Sequence, residues 1–233
     1  MNNNTIQIKI KERLNKLDSL DYDNIECWQI VEAFNKTQIE WCRRQLHGGN
    51  IYKEGDEMSK RRVDDLQILL RELALTGTIT DTYFEATNFP TNYLEFKRVS
   101  TKAKQECCPD LTPVSCYLAE EANVNLILRD PLKRPDFQWR ETFCTMIDNK
   151  IRIYRTDFDV VEPVLTYYKK PRNIEILNCV DPYTGIISNV GVISEFKDDI
   201  VELIIDEAAS MLAGDINEVN QALRGKEDAE RSN

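Results

Sequence analysis

Between Asp23 and Leu46 the apolar residues recur with the period of a helix. At about 100° per residue, Cys27, Trp28, Ile30, Val31, Phe34, Ile39, Trp41, Cys42 and Leu46 fall on one half of the cylinder. Glu26, Gln29, Glu32, Lys36, Glu40 and Arg43 fall on the other. A stripe this broad must be covered by another element. Asp23 suits the N-cap and Gly48–Gly49 the stop. Asp56–Leu75 repeats the pattern, with Val63, Leu66, Leu69, Leu70 and Leu73 opposite Asp64, Gln67, Arg71 and Glu72, and Gly77 ends it. The pairing predicts an antiparallel helical hairpin over residues 21–77, each helix covering the other's stripe. Residues 1–20 form an N-terminal arm, with a shorter helix over 5–18.

After Gly77 the period changes. Thr78–Phe84, Tyr93–Val99, Val124–Leu128, Phe137–Ile147, Lys150–Tyr154 and Val160–Tyr168 are rich in β-branched and aromatic residues. Turn signals separate them, among them Asn88-Phe89-Pro90, Asp130-Pro131, Arg134-Pro135-Asp136 and Asp148-Asn149. Residues 78–192 are therefore expected to hold a small antiparallel β region of four to six strands. A helix follows within 193–224, capped by Ser194, with Asp198 and Asp199 in its first turns and Ile200, Ile204, Ala208 and Met211 along one stripe. Residues 225–233 read as a solvated tail. The expected fold class is α+β: N-terminal helical hairpin, central small antiparallel β region, C-terminal helix, with 21–224 as one compact unit.

Of the 233 residues 42% are hydrophobic and 30% charged, which suits a folded chain. The first eleven residues are polar and predict no export signal, and runs such as Val201–Ile205 are too short to span a bilayer. A protein made in a cytosol is expected. Its seven cysteines are odd in number and irregularly spaced, so they read as buried thiols. Cys107, Cys108 and Cys116 invite a zinc reading, but no CxxC and only one histidine, His47, accompany them. The net charge is −10, concentrated at the end: residues 176–233 carry 4 basic and 12 acidic groups. Such a polyanion does not grip DNA, because affinity for phosphate comes chiefly from lysine and arginine.

No phosphate-cradling loop, dinucleotide fingerprint, HExxH or GxSxG is present in the sequence. Three constellations remain, and the first, Asp64–Asp65, reads as solvated helix surface because neighbouring residues diverge by about 100°. Asp157 and Asp159 flank Phe158 and could hold a divalent cation on an extended segment, although the pattern is commoner in a polar turn. Tyr167, Tyr168, Lys169, Lys170 and Arg172 join aromatics to bases and could stack nucleobases, or could end a strand whose basic tips meet water or a partner. The plainer reading of each leaves no catalytic residue, no cofactor and no metal site. Asp198, Asp199, Glu202, Asp206 and Glu207 are expected to face away from like copies, towards a channel or towards bases such as Arg152 and Arg155.

The order of these pieces carries a resemblance. An N-terminal helical part precedes Phe89-Pro90-Thr91-Asn92-Tyr93-Leu94-Glu95-Phe96, then Lys150–Tyr154, then Val164-Leu165-Thr166-Tyr167-Tyr168-Lys169-Lys170-Pro171, and the acidic helix from Asp198 to Ala209 closes the domain. Over about residues 20–215 this resembles the head–tail connector and tail-adaptor ring proteins of short-tailed bacteriophages, especially crAss-like phages. The stretch around Cys107–Cys116 departs from the simplest members. The resemblance implies a non-enzymatic virion subunit that forms a ring of twelve copies, docks below the portal protein, carries the next tail component and lets DNA pass. Tyr167, Tyr168, Lys169, Lys170, Arg172, Asp199 and Glu202 become interface candidates. A stopper or minor tail protein is the alternative within the virion, and a small metal-dependent enzyme or nucleic-acid-processing factor using Asp157 and Asp159 is the alternative outside it.

Overall fold

An eight-stranded, curled mixed sheet dominates the fold, in place of the expected helical hairpin beside a small antiparallel region. The computed structural model describes residues 1–17, 25–47, 64–105 and 108–216. The expected N-cap Asp23, the stop at Gly48–Gly49, the first part of the second hairpin helix and the tail 225–233 lie outside the described residues. Two compact units form, one from Met1–Ile68 with Pro171–Asn233 and one from Leu69–Lys170.

The second unit is the sheet. Its strands are β1 (Leu70–Ala74), β2 (Gly77–Ile79), β3 (Tyr83–Ala86), β4 (Tyr93–Gln105), β5 (Cys108–Leu118), β6 (Glu141–Ile147), β7 (Lys150–Tyr154) and β8 (Asp159–Lys169). Their spatial order is β1-β8-β4-β5-β6-β7-β3-β2, antiparallel throughout except for β5 beside β6. Two sequence expectations fail here for identifiable reasons. Leu70–Ala74 consists of helix formers, yet it pairs with β8, Leu70 opposite Tyr168 and Leu73 opposite Leu165. Leu73 belongs to the helical stripe with Leu69 and Leu70 and also alternates with Leu75, so the apolar spacing fits both periods, and pairing with the sheet decides between them. Leu70 is only half-buried on this strand, so it is not a hairpin core residue. Gly77 does not stop a helix; it opens β2, where a β-carbon would stand 1.9 Å from the Glu85 carbonyl oxygen. The stretch around Cys116, which departs from the simplest members of the family it resembles, supplies β5, which pairs with β4 on one side and β6 on the other.

Local chemistry explains other details. Asp148 and Asn149, both at positive φ (47° and 54°), close the two-residue hairpin between β6 and β7. Pro163 interrupts a strand flanked on both sides, and the ladder accommodates it with a bulge: Glu162 takes φ 48° and the register to β4 shifts between Ser100 and Lys102. Joining parallel β5 and β6 requires a crossover, and residues 119–140 provide it with a 3-10 turn (Glu121–Asn123) and the helix Val124–Arg129, here α3. Val124–Leu128 was expected as a strand. One cluster of the sheet's core gathers Phe84, Val99, Ile151, Ile153, Phe158, Val160 and Leu165. Beside it Phe143 is fully buried and stacks on Tyr154 at 4.5 Å, a contact whose loss in a Phe→Ala change costs about 3–5 kcal/mol.

The first unit is helical. α1 (Asn3–Leu17), α2 (Cys27–His47) and α4 (Asp198–Ile216) supply its apolar faces. Ile6, Ile10 and Leu14 of α1, Ile30, Phe34 and Trp41 of α2, and Ile200, Ile204, Ile205 and Ala208 of α4 are buried. α2 and α1 each pack on α4, and Trp41 meets Phe196 edge-on at 5.4 Å. The stripe read from the sequence is real, and among the described residues it is α4, from the far end of the chain, that packs on α2. Among the described residues no helix is long and apolar enough to cross a membrane.

Candidate interaction surface

Pro171 to Ile193 forms an irregular excursion in the helical unit, and three fixings hold it. Asn35 of α2 reads the backbone of Ile174 in both directions: its side-chain oxygen accepts from the Ile174 N–H at 2.8 Å and its amide donates to the Ile174 carbonyl at 3.2 Å. Gln38, one turn on, donates to the Arg172 carbonyl. From α1, the Asn3 amide donates to the carbonyls of Glu175 (2.6 Å) and Val192 (2.9 Å), clamping two segments that also bond each other reciprocally at 3.0 Å. The third fixing is covalent. Cys27, at the start of α2, is disulfide-bonded to Cys179, with Cα atoms 5.8 Å apart. This corrects the reading of these two cysteines as free thiols. Cys42 remains a buried thiol, pushed up to about 12 by burial. Cys116 is raised by its hydrogen bond with Cys144 and then by burial. Both are therefore poor thiolates.

The tip of the excursion is a tight turn built by Asp181. Its carboxylate accepts from the Tyr183 N–H (2.9 Å) and the Thr184 hydroxyl (2.8 Å), bonds that hold its pKa below the usual range. The Asp181 carbonyl accepts from the Gly185 N–H, and Gly185 takes φ 67°, which favours glycine. Ile174, Ile176 and Cys179 point inward and are buried. The outward residues are also apolar: Leu177, Tyr183, Ile186, Val190 and Ile193 are all more than half exposed, Tyr183 at 80%. Tyr183 and Ile186 line one groove together with Trp28, and contiguous apolar exposures mark contact sites. Trp28 meets Tyr183 edge-on at 6.1 Å, and between α2 and the excursion lies a groove of about 500 Å³. Among the described residues its charged lining is all acidic: Glu32, Glu175 and Asp181.

No family model matches this chain, and neither does any curated protein. The surface must therefore be read from its own chemistry.

The sheet unit has an exposed apolar surface too, on the crossover between β5 and β6. Leu126 (67%), Leu132 (84%) and Trp139 (73%) stand in solvent. The Asp136 carboxylate accepts the Trp139 N–H at 2.9 Å, and the Asp136 and Glu141 backbones bond reciprocally, so the turn carrying Trp139 is closed at its base. Arg140 completes it at φ 57°. Arg129, Arg134 and Arg140 are exposed and, among the described residues, make no ion pair.

The residues singled out from the sequence are dispersed. Asp157 accepts from Gln105 (2.5 Å) and Thr156 (2.9 Å), and Asp159 pairs with Arg155 at 2.6 Å, with buried Phe158 between them. Among the described residues no cluster of three metal-ligating side chains forms around them or elsewhere. Tyr167 is buried in β8, its hydroxyl donating to Asn92 at 3.0 Å and its ring stacked near Tyr93, so it offers no open face to a base. Tyr168 is half-buried, Lys169 buried, and Lys170 and Arg172 exposed, Arg172 lying 3.7 Å from Glu195. Alternation along the strand separates what the sequence places side by side.

The acidic helix finds its bases in the N-terminal helices, not in Arg152 or Arg155. Glu202 pairs with Lys9 and with Arg13 (2.7 Å), Arg13 also reaches Asp206 at 2.7 Å, and Arg44 pairs with Glu207. Lys9 first, then Arg13, holds the Glu202 carboxyl below its usual range. Asp199 is exposed. Arg152 instead joins Lys150 on Glu85, at 2.8 and 2.9 Å.

Proposed function

We propose that this chain is a structural subunit that assembles with copies of itself, as a ring in the head–tail connector of a short-tailed bacteriophage. The resemblance in the order of elements suggests the ring of twelve and the portal and tail proteins as its neighbours. One observation carries the assembly itself: the pinned excursion between Leu177 and Ile193 holds large apolar residues in water. The three fixings stabilise the unit by themselves, but they do so while leaving large apolar side chains uncovered, and a subunit gains from this an interface already in its bound shape. The Cys27–Cys179 disulfide fits a particle that works outside a reducing cytosol. The acid-rich α4 fits a conduit wall that does not hold DNA, although Glu202, Asp206 and Glu207 are partly neutralised within the subunit.

The test is sedimentation velocity over a concentration series with negative-stain imaging of the largest species, alone and mixed with a candidate portal ring. Closed rings around a central opening are expected. A monomer under every condition would sink the reading.

A further inference from the structure

The two exposed apolar surfaces differ in the sign of their charge, and that difference assigns a partner to each. The groove beside the excursion offers Trp28, Tyr183 and Ile186 with Glu32, Glu175 and Asp181, and among the described residues no lysine or arginine lines it. The crossover offers Leu132 and Trp139 with Arg134 and Arg140. We propose that the occupant of the groove is the crossover of a second copy of this chain, with Trp139 as the inserted side chain and Arg134 and Arg140 facing Glu32 and Glu175. This deepens the assembly reading and rests on it.

Three features favour this occupant over a second groove. Bringing two identical grooves together would oppose three carboxylates with three carboxylates, and like charges at short range cost affinity. The groove is concave and about 500 Å³, whereas the crossover projects a single indole on a turn closed by Asp136, so one shape completes the other. Tryptophan, tyrosine and arginine are also the side chains that dominate binding at desolvated interface centres. Lys133 adds little, because Asp130 lies 3.8 Å from it. A contact between different patches on the two copies is heterologous, so repetition of it builds a closed ring or an open filament, not a twofold dimer.

The experiment uses full-length chains and separates the two patches. Trp139→Ala removes the inserted side chain and Tyr183→Asp spoils the groove. Each variant alone should associate at least about tenfold more weakly than wild type. Mixed together they should form a one-to-one pair that grows no further, because the Tyr183→Asp chain still offers Trp139 and the Trp139→Ala chain still has an intact groove. Glu32→Arg and Arg134→Glu supply a second route on exposed side chains that leave the core untouched. Each should weaken assembly, and the double variant should restore it. Variants of wild-type mass and assembly, or a mixture that stays monomeric, would overturn the docking assignment while leaving assembly by another face intact. Wild-type chain that never associates would overturn both.

Discussion

Reducing the Cys27–Cys179 bond should destabilise the helical unit by an amount that also reports how the two units unfold. The bond closes a loop of sequence separation 152. If both units unfold together, loop-closure entropy gives an upper value of about 5 kcal/mol. If the sheet unit stays folded while the helical unit opens, only roughly 50 residues of flexible chain lie inside the loop, and the value falls to about 4 kcal/mol. Residual structure in the open chain lowers both, so a loss of at least about 2 kcal/mol is expected. The assay is urea denaturation followed by tryptophan fluorescence, with and without dithiothreitol, beside a Cys27→Ser/Cys179→Ser double variant. Trp28 and Trp41 report the helical unit and Trp139 the sheet unit. Thiol titration of the denatured, unreduced protein should find at most five of the seven cysteines. Seven titrating thiols, or equal midpoints for oxidised and reduced protein, would refute the reasoning.

Gly77→Ala should destabilise the sheet unit by about 1–3 kcal/mol, because the new methyl group would lie 1.9 Å from a backbone oxygen that cannot turn aside. A variant that melts like wild type would show that Gly77 does not lie opposite Ala86. Glu85→Gln should lower stability at neutral pH, with the gap to wild type closing in acid. Lys150 and Arg152 hold the Glu85 carboxyl below its usual range, so its contribution is present above the ordinary glutamate pKa and is lost as pH falls through the depressed one. Denaturation midpoints at neutral and acid pH check this, and a gap that persists in acid would contradict it.

Much of the local structure was legible because its causes are local. α2 follows from a stripe that no strand could bury, and α4 from a stripe with acids in its first turn. Asp148-Asn149 announced a two-residue turn and made one. What failed was partner choice. The stripe of α2 specifies that something apolar covers it, and nothing in 27–47 distinguishes the neighbouring Leu-rich segment from Ile200 and Ile204, over 150 residues away. Once α4 takes that role, Leu70–Ala74 loses its reason to be helical, and the edge of β8 supplies another. One wrong pairing therefore removed a strand from the count and carried the expected helix past Leu69 into β1.

The interaction surface was hidden for a different reason. Leu177, Val180, Ile186, Ile187, Val190 and Ile193 are ordinary core residues by type, and in a sequence an apolar residue predicts its own burial. Exposure is a property of the whole fold: it appears only when Asn3, Asn35 and Cys27, from two helices far away in the chain, take the inward side of the segment and leave the other side uncovered. One local signal was available. Between Leu177 and Ile193 the apolar residues keep neither a helical nor a strand period, and Asn178, Asp181, Pro182, Gly185, Asn189 and Gly191 break every run. Such a segment cannot bury all of its apolar side chains against its own unit through any regular element. Those left uncovered by the described residues stay in water at a cost until another surface covers them, and the acid-lined groove beside them sets the charge that a partner chain would need.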